Sequence, residues 1–229
     1  MSRKVAIIPA RSGSKGLKNK NILELHGLPL YRYSIDFAIQ SSFFDMIILT
    51  TDNEQILKWH EGDASLMVDK RLPKLATDNA TIKDVVTNLY LNGALFKDDI
   101  VFLLQPTSPY RKFADLHIIH GLCETSNYAF SLCSVVKVDD HHPSRMYEIH
   151  DNVCHSIDAQ NSSKIRQELR PLYLRNGCFY VSRLTSIIAL GFTPPSFTPL
   201  VMPDERSINI DNVLDFKMAE IIGVPNFRT

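Results

Sequence analysis

Three short segments combine residue types suited to holding a polyphosphate and an associated divalent cation. The first, Pro9-Ala-Arg-Ser-Gly-Ser-Lys-Gly-Leu-Lys-Asn-Lys-Asn21, is glycine-rich and basic. Residues 1–23 carry Arg3, Lys4, Arg11, Lys15, Lys18 and Lys20 and no acid, in a chain that balances 25 Lys+Arg against 25 Asp+Glu. Glycines let a backbone approach a ligand and aim successive N–H groups at it, while Arg and Lys neutralise charge, so the loop suits a di- or triphosphate. It is neither a Walker A motif nor G-x-G-x-x-G. In the second segment, Gln105-Pro-Thr-Ser-Pro-Tyr-Arg111, two prolines stiffen a loop and leave Gln105, Thr107, Ser108 and Arg111 as preset hydrogen-bonding groups. The third is Ser207-Ile-Asn-Ile-Asp211, whose strand-like alternation predicts Asn209 and Asp211 on one side, two hard-oxygen donors for Mg²⁺ on a phosphate.

The elements around these segments explain their placement. Val5-Ala-Ile-Ile reads as a buried strand stopped by Pro9, Tyr31 to Ser41 has helical spacing, and Met46 to Thr50 is a second buried strand. A short helix from Asn53 to His60, the strand Leu66-Met-Val, a helix over about Thr81 to Leu95 and the strand Ile100 to Leu104 follow. Next come a helix from about Ala114 to Thr125 and the strand Ala129 to Val136. Such alternation implies an α/β fold, a mostly parallel sheet with helices on both faces. Ligands of such sheets bind beyond the carboxyl ends of the strands, where the first two chemical segments fall. From Lys137 to Arg170 the chain turns rich in Asp, His, Asn and Ser; loops of that length in compact domains are usually functional or interfacial, and we expect an inserted dimerisation arm. The core pattern resumes at Cys178-Phe-Tyr-Val and closes with a helix from about Val213 to Ile222.

Composition narrows the function classes. With 229 residues, 45% hydrophobic, one domain over 1–229 is expected, large enough to bury roughly 70–75% of the unfolded chain's surface without metal or disulfide staples. Zero formal net charge argues against a nucleic-acid partner. No apolar run approaches the roughly 20 residues of a membrane span, and Met1-Ser-Arg-Lys leads straight into a strand, so a cytoplasmic protein with no membrane partner is expected. Cys123, Cys133, Cys154 and Cys178 form no C-x-x-C and read as reduced, mostly buried thiols; His141, His142, His150 and His155 lack the spacing of a metal cluster.

Taken in order, the segments resemble the N-acylneuraminate cytidylyltransferases. The match runs through I-I-P-A-R-x-G-S-K-G-…-K-N at Ile7 to Asn21, L-A-x-D at Leu75 to Asp78 and Q-P-T-S-P at Gln105 to Pro109. It continues through R-Q-…-P-x-Y-x-x-N-G-x-x-Y at Arg166 to Tyr180 and closes on I-D-I-D at Ile208 to Asp211, with Asn209 in place of the first Asp. Ketodeoxyoctonate cytidylyltransferases lack the S-K-G and K-N of this opening. The resemblance implies a three-layer, Rossmann-like nucleotidyltransferase fold and a homodimer whose arm, about 137–170, reaches toward the partner's site. It implies Mg²⁺-dependent transfer of CMP from CTP to a nine-carbon, sialic-acid-like keto-sugar acid, releasing pyrophosphate.

Carried over by motif, Arg11, Ser14, Lys15 and Lys20 would serve the triphosphate, and Asn21, Arg71 and the backbone around Ala80 the ribose and cytosine. Gln105, Arg166 and Tyr180 would contact the sugar acid, and Asp211 with Asn209 the metal. Arg11, Lys15 and Asp211 would carry catalysis, with Asp211 accepting the hydroxyl proton directly or through metal-bound water. Two other readings are a sugar-phosphate nucleotidyltransferase, whose substrate brings a phosphate instead of a carboxylate, and a non-catalytic nucleotide-binding protein of the same fold, to which Asn209 lends support.

Overall fold

A computed structural model describes residues 2–13, 16–125, 131–138 and 140–228. The elements are β1 (Lys4–Pro9), the small hairpin β2 (Glu24–Leu25) and β3 (Leu28–Pro29), α1 (Leu30–Ser41), β4 (Met46–Thr51), α2 (Glu54–Trp59) and β5 (Met67–Lys70). Then follow α3 (Ile82–Leu91), β6 (Ile100–Leu103), α4 (Phe113–Thr125), β7 (Leu132–Val138), the hairpin β8 (Tyr147–His150) and β9 (Val153–Ser156), β10 (Leu172–Arg183), α5 (Leu184–Leu190), β11 (Thr198–Met202) and α6 (Val213–Ile222).

Among the described residues, seven strands form one sheet in the order β11-β7-β10-β6-β1-β4-β5. β1 lies parallel between β4 and β6, with Ile7 beside Ile48 on one side and Leu103 on the other; β10 runs antiparallel to β6 and β7. Strand alternation splits the buried residues into two layers. Ala6, Ile8, Ile100 and Phe102 pack toward α1 and α4, while Val5, Ile7, Val101 and Leu103 pack toward α3 and α5. This is the expected three-layer arrangement with a mostly parallel sheet. β1 is buried on both faces, so its uninterrupted apolar run reads as strand without polar alternation.

Several boundaries differ from the sequence reading. α3 stops at Leu91 instead of continuing to Leu95, because Gly93 takes φ +78° and turns the chain so that the Ala94 N–H bonds Leu89 O at 3.0 Å. β7 extends through Val138, so Lys137 belongs to the sheet; the expected start of that strand near Ala129 lies outside the described residues. β10 begins at Leu172, six residues before Cys178, and its early part pairs with Val135–Val138 before a register shift between Arg175 and Tyr180. β11 was not legible, since two of its five residues are Thr and Pro and a Pro-rich turn precedes it. The segment Ser207 to Asp211 forms no strand: the Ile210 N–H bonds Thr107 O at 2.8 Å, but no ladder develops.

The 140–170 stretch holds the β8–β9 hairpin and three short 3-10 turns. It exposes Tyr147, Ile149, Val153, Ile157 and Ile165, next to exposed Tyr173 and Leu174 of β10. Cys123, Cys133 and Cys178 are buried free thiols and Cys154 is exposed. Among the described residues no helix is long and apolar enough to cross a membrane.

Candidate active site

The chain leaves β1, builds outward through β4 and β5, then returns to the opposite side of β1 as β6, which opens a crevice at the carboxyl ends of β1 and β6. A cleft of about 420 Å³ lies there. Its walls come from the basic loop (Arg11, Gly16, Lys20, Asn21), from Arg71, from Ala80 with the first turn of α3, from Gln105 to Thr107, and from Asp211. The three chemical segments therefore converge.

Each wall is tied down by local chemistry. The Ala10 N–H bonds Thr50 O at 3.0 Å and Thr51 Oγ1 donates to Ala10 O at 2.6 Å, which fixes the exit of β1 against β4. Ser12 is held by Asp52 through its backbone N–H at 2.7 Å and its hydroxyl. Asn21 is buried and its Nδ2 donates to Arg11 O at 2.8 Å, so this amide braces the basic loop as well as bordering the cleft. Arg11 lies 2.9 Å from Asp78 Oδ1, which places the L-A-x-D segment against the loop. Of the other cations near the N-terminus, Arg3 pairs with Asp99 at 2.7 Å at the amino end of β1, away from the loop. Ser14 and Lys15 lie outside the described residues.

Arg71 is buried and binds the end of β4, through Nη2 to Thr50 O at 3.1 Å and Nε to Thr50 Oγ1 at 3.3 Å. Desolvation by that burial pulls its pKa below the ordinary guanidinium value. The Ala80 N–H is already used, bonded to Thr77 O at 3.3 Å, and Ala80 and Thr81 both line the cleft. Thr81, Ile82 and Val85 are cleft residues the sequence reading missed. A signal was present: Thr81 and Asp84 form a capping box, with Asp84 N–H to Thr81 Oγ1 at 3.2 Å and Thr81 N–H to Asp84 Oδ2 at 2.8 Å, which marks a helix start facing the cleft.

The Gln105 loop divides its labour differently from the sequence expectation. Gln105 and Thr107 do border the cleft, but Ser108 and Arg111 are fully buried. Arg111 donates to Cys178 O at 2.7 Å, Gln105 O at 2.8 Å and Ser34 Oγ at 3.0 Å, and desolvation brings its pKa down to about 10. Its role is to hold the loop to β10 and α1, since no ligand can reach it. Ser108 Oγ donates to Asn176 O at 3.1 Å.

Across the cleft, Lys20 Nζ stands 2.6 Å from Asp211 Oδ1, and Asn209 Nδ2 donates to Asp211 Oδ2 at 2.7 Å. Asn209 and Asp211 thus do share a side, although no strand puts them there. The Asp211 N–H bonds Asp215 Oδ2 at 2.8 Å, the same oxygen that accepts from the Asn212 N–H in the Asn212–Asp215 capping box starting α6. Arg206 grips buried Asp115 through two bonds of 2.7 and 3.0 Å and anchors the segment from its other end.

Two expected sugar-site residues lie elsewhere. Tyr180 is half-buried and packs against the core layer under α3 and α5, with its ring centroid 6.4 Å from that of Phe192, and desolvation pushes its hydroxyl pKa up to about 12. It does not line the cleft. The spacing of the motif located Tyr180 on β10 but could not tell which face it takes. Arg166 belongs to the arm, where Nη1 is 3.7 Å from Asp140 Oδ1, and it too is absent from the cleft wall of this chain. The residues of that block which do approach the cleft are Asn176 and Gly177. Asn176 accepts from Ser134 Oγ at 2.6 Å and donates to Ser207 Oγ at 2.9 Å, and Gly177 packs under Gln105 and Asn209.

Comparison with known proteins bears on the family and the fold. A sequence model of the family described as cytidylyltransferase matches residues 5–110. The chain is 34% identical to the N-acylneuraminate cytidylyltransferase of Streptococcus agalactiae serotype V over 225 residues, 96% of this chain and 52% of the relative; it spans about half the length of the first curated relatives it matches. It is 31% identical to the CMP-N,N'-diacetyllegionaminic acid synthase of Legionella pneumophila over 95% of both chains. In fold, it superposes on a CMP:2-keto-3-deoxy-manno-octonic acid synthetase complexed with CTP with TM-score 0.68 at 14% identity, covering 96% of this chain and 98% of that one.

Proposed function

The chain belongs to the N-acylneuraminate cytidylyltransferase family, and on that premise we propose that its cleft transfers CMP from CTP to the anomeric hydroxyl of a nine-carbon keto-sugar acid and releases pyrophosphate. The observation that carries this reading is the meeting of a basic glycine loop and a carboxylate in one cleft, Arg11 and Lys20 on one side and Asp211 on the other. An in-line displacement at phosphorus asks a protein mainly to position two reactants and neutralise charge. Arg11 and Lys20, with Lys15, serve the triphosphate. Asn21, Arg71 and the Ala80 wall enclose ribose and cytosine, and Gln105 meets the sugar acid.

A divalent cation fits the Asp211 carboxylate, which is 61% exposed to the cleft; Asn209 adjoins it through its amide nitrogen, which donates to that carboxylate. Asp211, with Asn209 beside it, would hold Mg²⁺, which supplies charge neutralisation at the triphosphate and leaving pyrophosphate. The proton of the attacking hydroxyl leaves toward Asp211, the acid of the cleft wall.

The exposed apolar residues of the arm, Tyr147, Ile149, Val153 and Ile165 among them, support a homodimer built on that arm. Arg166 then meets the sugar carboxylate from the partner's side, where a guanidinium can form two parallel bonds. A monomer by sedimentation at micromolar concentration would remove this part of the reading.

The deciding experiment is pyrophosphate release from CTP with N-acetylneuraminate, legionaminate, pseudaminate, ketodeoxyoctonate or a sugar phosphate. One of the first three should be turned over. CTP should exceed ATP and GTP by about 10⁴ in kcat/KM, because a site built for polar base edges rejects analogues that leave its groups unpaired. Equal turnover of ATP, or use of sugar phosphates alone, overturns the proposal.

A further inference from the structure

Lys20 and Asp211 are 191 residues apart in sequence, yet their charged groups touch at 2.6 Å. The Lys20 side chain keeps 12% of its exposure and that of Asp211 keeps 61%, so the ammonium is sequestered while the carboxylate faces the cleft. The second carboxylate oxygen takes a bond from Asn209 at 2.7 Å. A carboxylate has no proton to donate, so the amide nitrogen must be the atom facing it. The Asn209 amide oxygen is accordingly turned toward Gly177, 3.4 Å from where a side-chain carbon on that glycine would stand. Gly16 lies against the Asp211 carbonyl with no room for a side chain, which holds the basic loop and the carboxylate segment together.

Both oxygens of Asp211 are therefore occupied by donors of the chain itself, one of them cationic. A divalent ion taking Asp211 as ligand must compete with the ammonium, because two cations at one carboxylate repel. A triphosphate in the cleft offers Lys20 a second and more highly charged anion.

We propose that Lys20 is the resident counter-ion of Asp211 and that it couples nucleotide binding to divalent-cation binding. Without nucleotide the ammonium holds the carboxylate and keeps a divalent ion weakly bound. With nucleotide it moves to the phosphates and releases Asp211 to the metal. By linkage the effect is reciprocal: bound metal raises the affinity for nucleotide by the same factor. The inference rests on the assignment of Asp211 to the metal made above.

The test is Mn²⁺ binding, followed by electron paramagnetic resonance on the full chain with no nucleotide present. Lys20→Met should bind Mn²⁺ about tenfold more tightly than the parent, toward the lower end of the roughly 5- to 150-fold range common for coupled sites. Lys20→Gln should show the same gain, which keeps the comparison available if the methionine variant does not fold. Lys20→Arg, which preserves the charge, should stay as weak as the parent, and Asp211→Asn should erase the gain in either neutral variant. No tightening in the neutral variants, a gain in Lys20→Arg equal to theirs, or a gain that survives Asp211→Asn each overturns the proposal. A parallel titration with CTP separates the two readings. If Asp211→Asn leaves Mn²⁺ affinity unchanged there, the metal does not sit at Asp211 and both fall; if it weakens Mn²⁺ there while the neutral Lys20 variants match the parent in the titration without nucleotide, the coupling alone falls.

Discussion

Gly177 and Gln105 are packed so closely that a methyl group on Gly177 would stand 2.8 Å from the Gln105 side-chain oxygen, and also 2.8 Å from Ser108 Oγ. The glycine takes φ +79°, a conformation that residues with a side chain adopt only under strain. It sits in the register shift of β10, so the strand bulges where the cleft needs space. Gly177→Ala should displace Gln105 and lower kcat/KM for the sugar acid by about 10², the cost of an ångström of misplacement, with a smaller effect on CTP affinity. Steady-state kinetics with each substrate varied in turn checks this, and unchanged sugar kinetics would show that Gln105 does not set the sugar's position.

Arg111 is a buried cation whose three hydrogen bonds go to oxygens of Cys178, Gln105 and Ser34, none of them a carboxylate. Removing it takes a donor from each; Gln105 O keeps the Ser108 N–H at 3.2 Å, while Cys178 O and Ser34 Oγ lose the guanidinium. Arg111→Met should reduce the free energy of unfolding by about 3 kcal/mol, since each buried group left without a partner costs roughly 1–3 kcal/mol. Arg111→Lys should recover little of it, because an ammonium cannot reproduce the fork of the guanidinium. Urea denaturation of the three proteins is the measurement.

Arg11 and Arg166 should fail in different ways. Arg11 borders the cleft beside Asp78, so Arg11→Ala should lower turnover by about 10²–10³ and weaken CTP. Arg166 stands on the arm near Asp140, and Arg166→Ala should raise KM for the sugar acid with CTP affinity little changed. The reverse pattern would exchange the two halves of the site.

Asn209 accepts its place beside Asp211 because its amide donates to the carboxylate. Asn209→Asp replaces that bond with repulsion between two carboxylates, which a divalent ion would relieve. The variant should need less Mg²⁺ for half-maximal turnover than the parent, and its melting temperature should fall without divalent ions and recover with them. Asp211→Ala should lose nearly all activity. Undiminished turnover in Asp211→Ala would take the metal away from this position, and an inactive parent rescued by Asn209→Asp would favour a nucleotide-binding protein without catalysis.

The succession of elements, the layering of the sheet and the cleft segments could be read from local pattern. An apolar run buried on both faces, such as Val5 to Ile8, has few ways to fold, and a basic glycine loop directly after it must emerge at the strand's carboxyl end. What local pattern could not supply is the partner of each polar group. Arg111 and Arg11 are the same residue type on neighbouring loops, yet one is sealed under Cys178 and Ser34 and the other opens on the cleft, a difference set by β10 packing against β6. Tyr180 falls within a motif but its half-buried ring packs against the layer under α3 and α5, because the register shift after Arg175 decides which face it takes. Lys20 and Asp211 meet across 191 residues of sequence, and that contact exists because the Gln105 loop holds Ile210 while Gly16 allows the basic loop to close against Asp211. Periodicity and motif report what a residue's near neighbours require of it; which charges face one another is decided by long-range packing, where the desolvation of each group and the reach of its hydrogen bonds are settled together.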